Sequence, residues 1–413
     1  MTTQRMIYIV GGVIAVLLVI WSIWFLFFKS SATPSTSQEG SGFGVGDDRT
    51  INVTSTSGSD ASDNTAVSLP SSNGQLVFKI ADGPVTTAAL IQTSNPTTTL
   101  ARYVLQENGH VFDQVIDNPG AVPRAISNTT IPGTERGVWL NGNAVILQYL
   151  DDTNIKSVYL GFPPQATSTA PATRPVQIKF LPDNIEDVAG SPDGSSIAYL
   201  LPSASGITGY TAKADGTGSK NLFSMPLSDF VISWPSASTL LLQTKNSSSA
   251  PGAAFSVSAQ TGGIVPILYA YGLSAIADRT FSEIVYRTSN GTGGSTFIHS
   301  VKAGNDMPLS FDPIPEKCIW SNVNAVVMYC ALPFQSLPTN YIDSWHQGTA
   351  SLADTIFSFN TATGDSTIIA SPGTADGGVL SDIAEMNIAP DDSYLVFIKK
   401  GDRSLWGVRL GSH

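Results

Sequence analysis

Short apolar segments, each preceded by a turn-forming stretch, recur along residues 74–410 of this chain. The segments are rich in strand-forming residues, and each turn contains Gly, Pro, Asn or Asp. Successive turns are separated by 43–50 residues, except for one step of 68 residues. The turns lie at Pro96, Gly142, Pro192, Pro235, Arg279, Asn322 and Pro390. A period of this length with several short strands per unit is typical of a β-propeller. The pattern predicts an all-β, seven-bladed β-propeller.

The turn before the third of these segments reads SPDG, at residues 191–194. A polar residue, Pro and a closing Gly at these positions match a type I β-turn that leads into the strand SSIAYL. Asp193 is therefore interpreted as a turn residue that bonds to its own backbone and not as a catalytic acid.

Two units carry the most specific motif. SPDGSSIAY followed by ADGTGSKNLF, and the final APDDSYLVFIKKGDRSLWGVRL, resemble the WD40-like repeat of TolB-type propellers. The resemblance extends over residues 74–410. It implies that the turn after a blade's first strand and the loop between its second and third strands lie on opposite faces. It also implies a protein-binding role, since TolB-type propellers mostly bind proteins.

The two ends of the repeat region indicate how the ring closes. The last unit offers three strands, whereas residues 75–80 (QLVFKI) form a strand without a unit of its own. Propellers of the TolB type commonly close with an N-terminal strand that completes the last blade. Because closure of this kind removes exposed strand edges, we expect residues 75–80 to pair with the final strand.

The N-terminal region predicts a membrane anchor. Residues 6–28 contain no charged side chain and are long enough to cross a bilayer of about 30 Å. A cleaved signal peptide and a buried helix are the alternatives, but a signal peptide's apolar core spans only about 7–15 residues. Residues 29–73 are rich in Ser, Thr and Gly and predict a disordered tether. We expect a single-pass protein of the cell membrane, with a cytoplasmic N-terminus and an extracytoplasmic propeller.

Composition narrows the classes of function. The formal net charge of −11 argues against a nucleic-acid partner, because phosphates require clusters of Lys and Arg. The four histidines are scattered, with no zinc-binding spacing, and no nucleophile elbow or phosphate-binding loop occurs. We therefore expect no metal, no cofactor, no catalytic residues and no enzymatic activity.

Two cysteines, Cys318 and Cys330, flank the turn of one hairpin. If that turn pairs Ser321 with Ala325, Cys318 faces Met328 and Cys330 lies one diagonal step away on the same face. Both a disulfide and two buried free thiols agree with this arrangement.

The single long step between turns corresponds to an insertion at residues 333–354, PFQSLPTNYIDSWHQGTASLAD. Its face, opposite the SPDG turn, is the candidate binding surface, because long loops in compact folds are often functional. Aromatic and acidic residues of the insertion and of neighbouring segments are the candidate contacts: Tyr341, Asp343, Trp345, His346, Asp312, Glu316 and Tyr271. The alternative is an insertion that caps hydrophobic side chains of its own blade.

These observations favour a binding scaffold of the cell envelope that recognises a protein or a cell-wall-linked partner. A polysaccharide-active propeller of the lyase type and a small-ligand sensor are the alternatives. A lyase requires convergent histidines or acids in the central channel, and the sequence displays no such cluster.

Overall fold

The computed structural model describes residues 76–94, 97–118, 121–162, 176–289, 293–333, 337, 340–371 and 382–411. Within these ranges, 28 strands form seven four-stranded antiparallel sheets. The predicted seven-bladed β-propeller is therefore confirmed. No helix in the described ranges is long and apolar enough to cross a membrane. The predicted anchor at 6–28 and the predicted tether at 29–73 lie outside the described residues.

Blades 1 to 6 take their strands in chain order from the inside of the ring outwards, whereas blade 7 has the N-terminal strand β1 at its outer edge. Blade 1 comprises β2 (Val85–Ser94), β3 (Thr97–Leu105), β4 (Val111–Val115) and β5 (Arg124–Ser127). Blade 2 comprises β6 (Thr134–Leu140), β7 (Ala144–Asp151), β8 (Asn154–Gly161) and β9 (Gln177–Phe180). Blade 3 comprises β10 (Asp187–Gly190), β11 (Ser196–Ser203), β12 (Gly206–Lys213) and β13 (Lys220–Met225).

Blade 4 comprises β14 (Phe230–Ser236), β15 (Thr239–Thr244), β16 (Pro251–Ser258) and β17 (Ile264–Tyr271). Blade 5 comprises β18 (Ser274–Ala277), β19 (Glu283–Ser289), β20 (Gly294–Ser300) and β21 (Asn305–Pro308). Blade 6 comprises β22 (Cys318–Trp320), β23 (Val327–Pro333), β24 (Asp354–Asn360) and β25 (Ser366–Ala370). Blade 7 combines β26 (Ile383–Ile388), β27 (Tyr394–Lys399) and β28 (Leu405–Arg409) with the N-terminal strand β1 (Val77–Ala81).

Ring closure by the N-terminal strand is confirmed. Strand β1 pairs antiparallel with β28, with Val77 opposite Val408 and Phe78 opposite Gly407. The backbone amide of Arg409 also donates to the carbonyl of Leu76 at 2.9 Å. The last blade therefore joins both ends of the repeat region, and β28 is not left with an unpaired edge.

The hydrophobic core lies between neighbouring blades. Each of the seven blade-to-blade interfaces contains one buried cluster, with side chains from both sheets. The central strands are covered on both faces, which explains why segments such as AVIL in β7 are continuously apolar and do not alternate. The apolar runs in the sequence therefore mark central strands of blades.

The SPDG turn adopts the predicted structure. Asp193 Oδ1 accepts hydrogen bonds from Ser191 Oγ at 2.6 Å and from the Ser195 backbone amide at 3.0 Å. These bonds lower the pKa of Asp193 to about 2. Gly194 has a φ of +68°, and a Cβ there would lie 2.6 Å from the side chain of Asn141. Asp193 is a turn residue, and the turn packs against the corresponding turn of blade 2 through the bond from Asn141 Nδ2 to the Asp193 carbonyl.

Cys318 and Cys330 form a disulfide with a Cα–Cα distance of 4.1 Å. The predicted register was wrong, because Cys318 lies directly opposite Cys330 and Trp320 lies opposite Met328. The hairpin turn is wider than expected, since the Ser321 amide bonds to the carbonyl of Val327 and the Ser321 hydroxyl accepts from the amide of Asn324. The wider turn moves the two cysteines from a diagonal to a direct pair.

Candidate binding site on the insertion face

The insertion leaves blade 6 between β23 and β24 and contains one short helix, α1 (Tyr341–His346). It contacts blades on both sides of its own. Asp343 accepts hydrogen bonds from the backbone amide of Ser248 in blade 4 at 3.1 and 3.2 Å. Trp345 Nε1 donates to both oxygens of Asp382, just before blade 7, at 2.9 and 3.0 Å. Because it joins the far end of β23, the insertion lies on the face opposite the first-to-second-strand turns.

A buried ionic cluster anchors the helix. Lys317 Nζ lies 2.7 Å from Asp354 Oδ2 and 2.6 Å from Asp382 Oδ1, and its side chain has no exposed surface. Lys317 Nζ also lies 4.9 Å from the centre of the Trp345 ring, and Lys400 Nζ lies 4.0 Å from it. Lys400 donates to the carbonyl of Trp345 as well. Burial raises the pKa of Asp354 despite the neighbouring Lys317 charge.

The expectation that Tyr341 and Trp345 form an exposed aromatic surface was wrong. Tyr341 is 2% exposed and Trp345 is 6% exposed, in a cluster with Ile342, Ile314 and Leu352. In α1, positions 341, 342 and 345 share one helical face and pack inwards. Positions 343, 346 and 347 point away from that core. For the two aromatic residues, the structure agrees with the alternative of a hydrophobic cap.

Three polar residues of the insertion, Asp343, His346 and Gln347, line a cavity of about 530 Å³. Three of the candidate residues, Glu316, Asp343 and His346, meet there. Glu316 belongs to a 3-10 helix (Pro315–Lys317) that leads into β22. Blade 4 supplies the opposite wall, with Val231 from its inner strand and residues 243–246 from the end of β15. A volume of this size lies within the range of ligand sites, about 300–1,000 Å³.

A hydrogen-bonded chain crosses the cavity wall from the insertion to blade 4. His346 Nε2 lies 3.0 Å from Glu316 Oε2, and Asn246 Nδ2 donates to Glu316 Oε1 at 2.9 Å. Burial raises the pKa of Glu316, but the bonds from His346 and Asn246 outweigh burial and hold this pKa below its ordinary value. The bond to Glu316 raises the pKa of His346. The pair is therefore strongest when His346 is protonated and Glu316 is ionised.

The other two candidate residues do not line this cavity. Asp312 receives two bonds from the buried guanidinium of Arg287, at 3.0 and 2.9 Å, and one from Thr296 at 2.7 Å. Its role in the structure is to pair with Arg287 inside blade 5. Tyr271 ends the outer strand of blade 4, and its hydroxyl donates to the carbonyl of Ser249.

Sequence analysis missed the contribution of blade 4. Val231, Lys245 and Asn246 lie far from the insertion in the chain, and Gln347 follows helix α1 directly. The only local signal is the polar loop KNSSSAP after β15, whose counterparts in other blades are also polar. Within the described ranges, no group of three His, Cys, Asp or Glu residues is arranged to hold a metal ion.

A half-buried carboxyl lies on the inner strand of blade 7. Glu385 Oε1 accepts a hydrogen bond from Thr87 Oγ1 of blade 1 at 2.7 Å. Burial raises the pKa of Glu385 to about 7, against the opposing effects of Thr87, Arg403 and Arg136. Arg136, on the inner strand of blade 2, forms an ion pair with Asp187 of blade 3.

Comparison with known proteins supports the fold. No protein-family model matches the chain, and no curated protein matches it. Among solved structures, it is similar to TolB from Acinetobacter baumannii, with 9% identity and a TM-score of 0.42 over 68% of this chain and 62% of TolB. The tricorn protease has 9% identity and a TM-score of 0.50, over 82% of this chain and 34% of the protease. The β-propeller domain of the Trilobed protease from Pyrococcus furiosus has 8% identity and a TM-score of 0.47, over 79% of this chain and 97% of that domain.

At these identities the similarity concerns the β-propeller fold alone. The propeller that the repeat motifs predicted is shown directly by the seven four-stranded sheets, and TolB is one of the propeller structures to which the chain is similar. The chain spans less than two thirds of the length of the TolB structure.

Proposed function

We propose that this chain is a binding module of the cell envelope, in which the insertion face captures a protein or a cell-wall-linked partner. The observation that carries the proposal is the cavity of about 530 Å³ between the insertion and blade 4. Two of its polar groups, Asp343 and His346, belong to a helix that a buried ionic cluster and a buried tryptophan hold in place. A site that is already organised loses less conformational entropy on binding.

Two features support a location outside the cytoplasm. The uncharged segment at 6–28 is long enough to anchor the chain in a bilayer. The disulfide between Cys318 and Cys330 is of a kind that persists in oxidising compartments. Together they favour an extracytoplasmic propeller on a membrane anchor.

Binding without catalysis is supported by how the cavity groups are used. His346 and Glu316 resemble a general base with an orienting carboxylate, but the described cavity wall provides no activated nucleophile beside them. Thr244, the one hydroxyl in that wall, accepts a hydrogen bond from the amide of Ala253 at 3.1 Å.

Site-specific photo-crosslinking of the full-length chain in intact cells tests the proposal. A photoreactive amino acid replaces the exposed Gln347 beside the cavity or, as the control, the exposed Ser195 on the opposite face. We expect a discrete crosslinked species from position 347 and none from position 195. Crosslinks from 195 alone, or equal crosslinks from both positions, would contradict a partner on the insertion face.

A further inference from the structure

The cavity described above contains one carboxylate with which no basic group pairs among the described residues, that of Asp343. Glu316 and Asp343 contribute carboxylates to its wall. The two basic groups of the wall are already paired, since His346 bonds to Glu316 at 3.0 Å and Lys245 lies 3.5 Å from Asp229. Asp343 has no ion pair among the described residues and accepts only the backbone amide of Ser248. A carboxylate with two oxygens can accept several more hydrogen bonds.

Asn246 orients the neighbouring Glu316 carboxylate. Its Nδ2 donates to Glu316, and because an ionised carboxylate can only accept, this bond fixes the orientation of the amide. The amide oxygen Oδ1 is buried and does not face a ligand in the cavity. Glu316 thus already accepts side-chain bonds at both of its oxygens, from His346 and Asn246, whereas Asp343 is the carboxylate of the wall without a side-chain donor among the described residues.

The remaining wall and the whole chain favour the same ligand chemistry. Val231 provides an apolar surface on the inner side of the cavity, and an alkyl chain packs well on such a surface. The formal net charge of −11 attracts cations to the protein. Anionic ligands face unpaired carboxylate charge at the site, whereas a cation pairs with it.

From these observations we infer that the cavity binds a primary ammonium group on an alkyl chain, with the ammonium next to Asp343 and the alkyl chain against Val231. The inference rests on the proposed function, since it names the chemistry by which the insertion face recognises its partner. A lysine side chain of a protein and an amine of a cell-wall peptide both provide this group.

Calorimetric titration of the purified full-length chain in a non-ionic detergent tests the inference without any partner. The probe is Nα-acetyl-lysine methylamide, and the neutral control probe carries a second acetyl group on Nε. We expect only the cationic probe to bind, and we expect its binding to weaken with added salt. Binding of neither probe, or equal binding of both, would overturn the inference.

Variants of the two carboxylates localise the site. Asp343→Asn keeps an acceptor for the Ser248 amide but removes the charge, and we expect tenfold weaker binding or more, because an ammonium bonds more strongly to a charged acceptor than to a neutral one. Glu316→Gln, a second variant in case Asp343→Asn does not fold, should also weaken binding. The matched control is Asp193→Asn on the opposite face, which should bind as the wild type does. An unchanged affinity in both cavity variants would refute the assignment.

Crosslinking at position 347 then distinguishes the two sources and the two proposals. Prior acetylation of envelope proteins abolishes capture if the ammonium belongs to a protein, and acetylation of isolated cell-wall fragments abolishes it if the amine belongs to the wall. Capture that survives both treatments contradicts the ammonium inference and leaves the proposed function standing. Probe binding without any crosslink at 347 contradicts the proposed function alone.

Discussion

Replacement of Lys317 by Met should destabilise the propeller by about 3–5 kcal/mol at neutral pH, the typical cost of breaking a buried ion pair. Lys317 is fully buried, and its ammonium lies 2.6–2.7 Å from two carboxylates that are also buried, Asp354 and Asp382. Met fills a similar volume, so packing changes little. The cost arises because two carboxylates lose their nearest cation, while Lys400 remains near Asp382.

The pH dependence of this loss identifies its cause. Burial already raises the folded-state pKa of Asp354 against the opposing Lys317 charge, and in Lys317→Met this pKa should rise further because that charge is lost, so the folded state binds protons more tightly than the unfolded state. The stability lost at neutral pH should therefore return as the pH falls through the raised pKa of Asp354 towards the unfolded value, about 4. A variant that lost only packing would be destabilised equally at pH 5 and pH 8.

Urea unfolding of the full-length chain, followed by tryptophan fluorescence, measures the effect. A loss of 3–5 kcal/mol should lower the midpoint by about 1 M or more. Lys79→Met is the matched control, because Lys79 is 45% exposed and pairs with an Asp82 that is 93% exposed, so its removal should change stability by less than about 1 kcal/mol. A midpoint in Lys317→Met equal to that of the wild type, or a loss that does not depend on pH, would refute the electrostatic account of the anchor.

Four other predictions concern the core, the channel side, the closing strand and the membrane topology. Trp345→Ala should lower stability by about 3–5 kcal/mol in the same urea assay, because it empties a buried site and leaves Asp382 without its indole donor; a change below 1 kcal/mol would restore the exposed-surface interpretation. Glu385→Gln should stabilise the fold by up to about 3 kcal/mol at pH 8 and by little at pH 5. The reason is that the pKa of Glu385 in the folded state is raised to about 7, so ionisation of this carboxyl destabilises the folded state as the pH rises from about 4.5 through 7. A gain in stability that does not depend on pH would contradict this explanation. Deletion of residues 1–82 removes β1 and should cause aggregation that deletion of 1–73 does not, as seen by gel filtration; identical behaviour would show that closure by β1 is dispensable. Protease added to intact cells should cut between 29 and 73, and full protection alongside a cytoplasmic control would place the tether inside.

The sequence alone determined the features that depend on local chemistry and on repetition. Pro and Gly of the SPDG turn set its backbone angles within four residues, and the same arrangement of turn and apolar segment recurs seven times. The number of blades and the closing strand at 75–80 followed from that periodicity. The last repeat has only three strands of its own, and the strand at 75–80, which belongs to no repeat, supplies the fourth. The position of the insertion followed in the same way, as a departure from the period.

Tertiary structure decided everything that depends on which distant segments meet. The disulfide was undetermined because a turn two residues wider than expected changes the register of its hairpin, and that width depends on bonds from Ser321 and Asn322 to Asp392 in blade 7. Trp345 looks like a binding residue in the sequence, yet it is buried because Asp382, 37 residues further along the chain, accepts its indole hydrogen bond. Glu316 and Asn246 are 70 residues apart and hydrogen-bond across the cavity. Burial, pairing and cavity shape are properties of packed surfaces, and a linear pattern of apolar and polar residues does not encode which surfaces pack together.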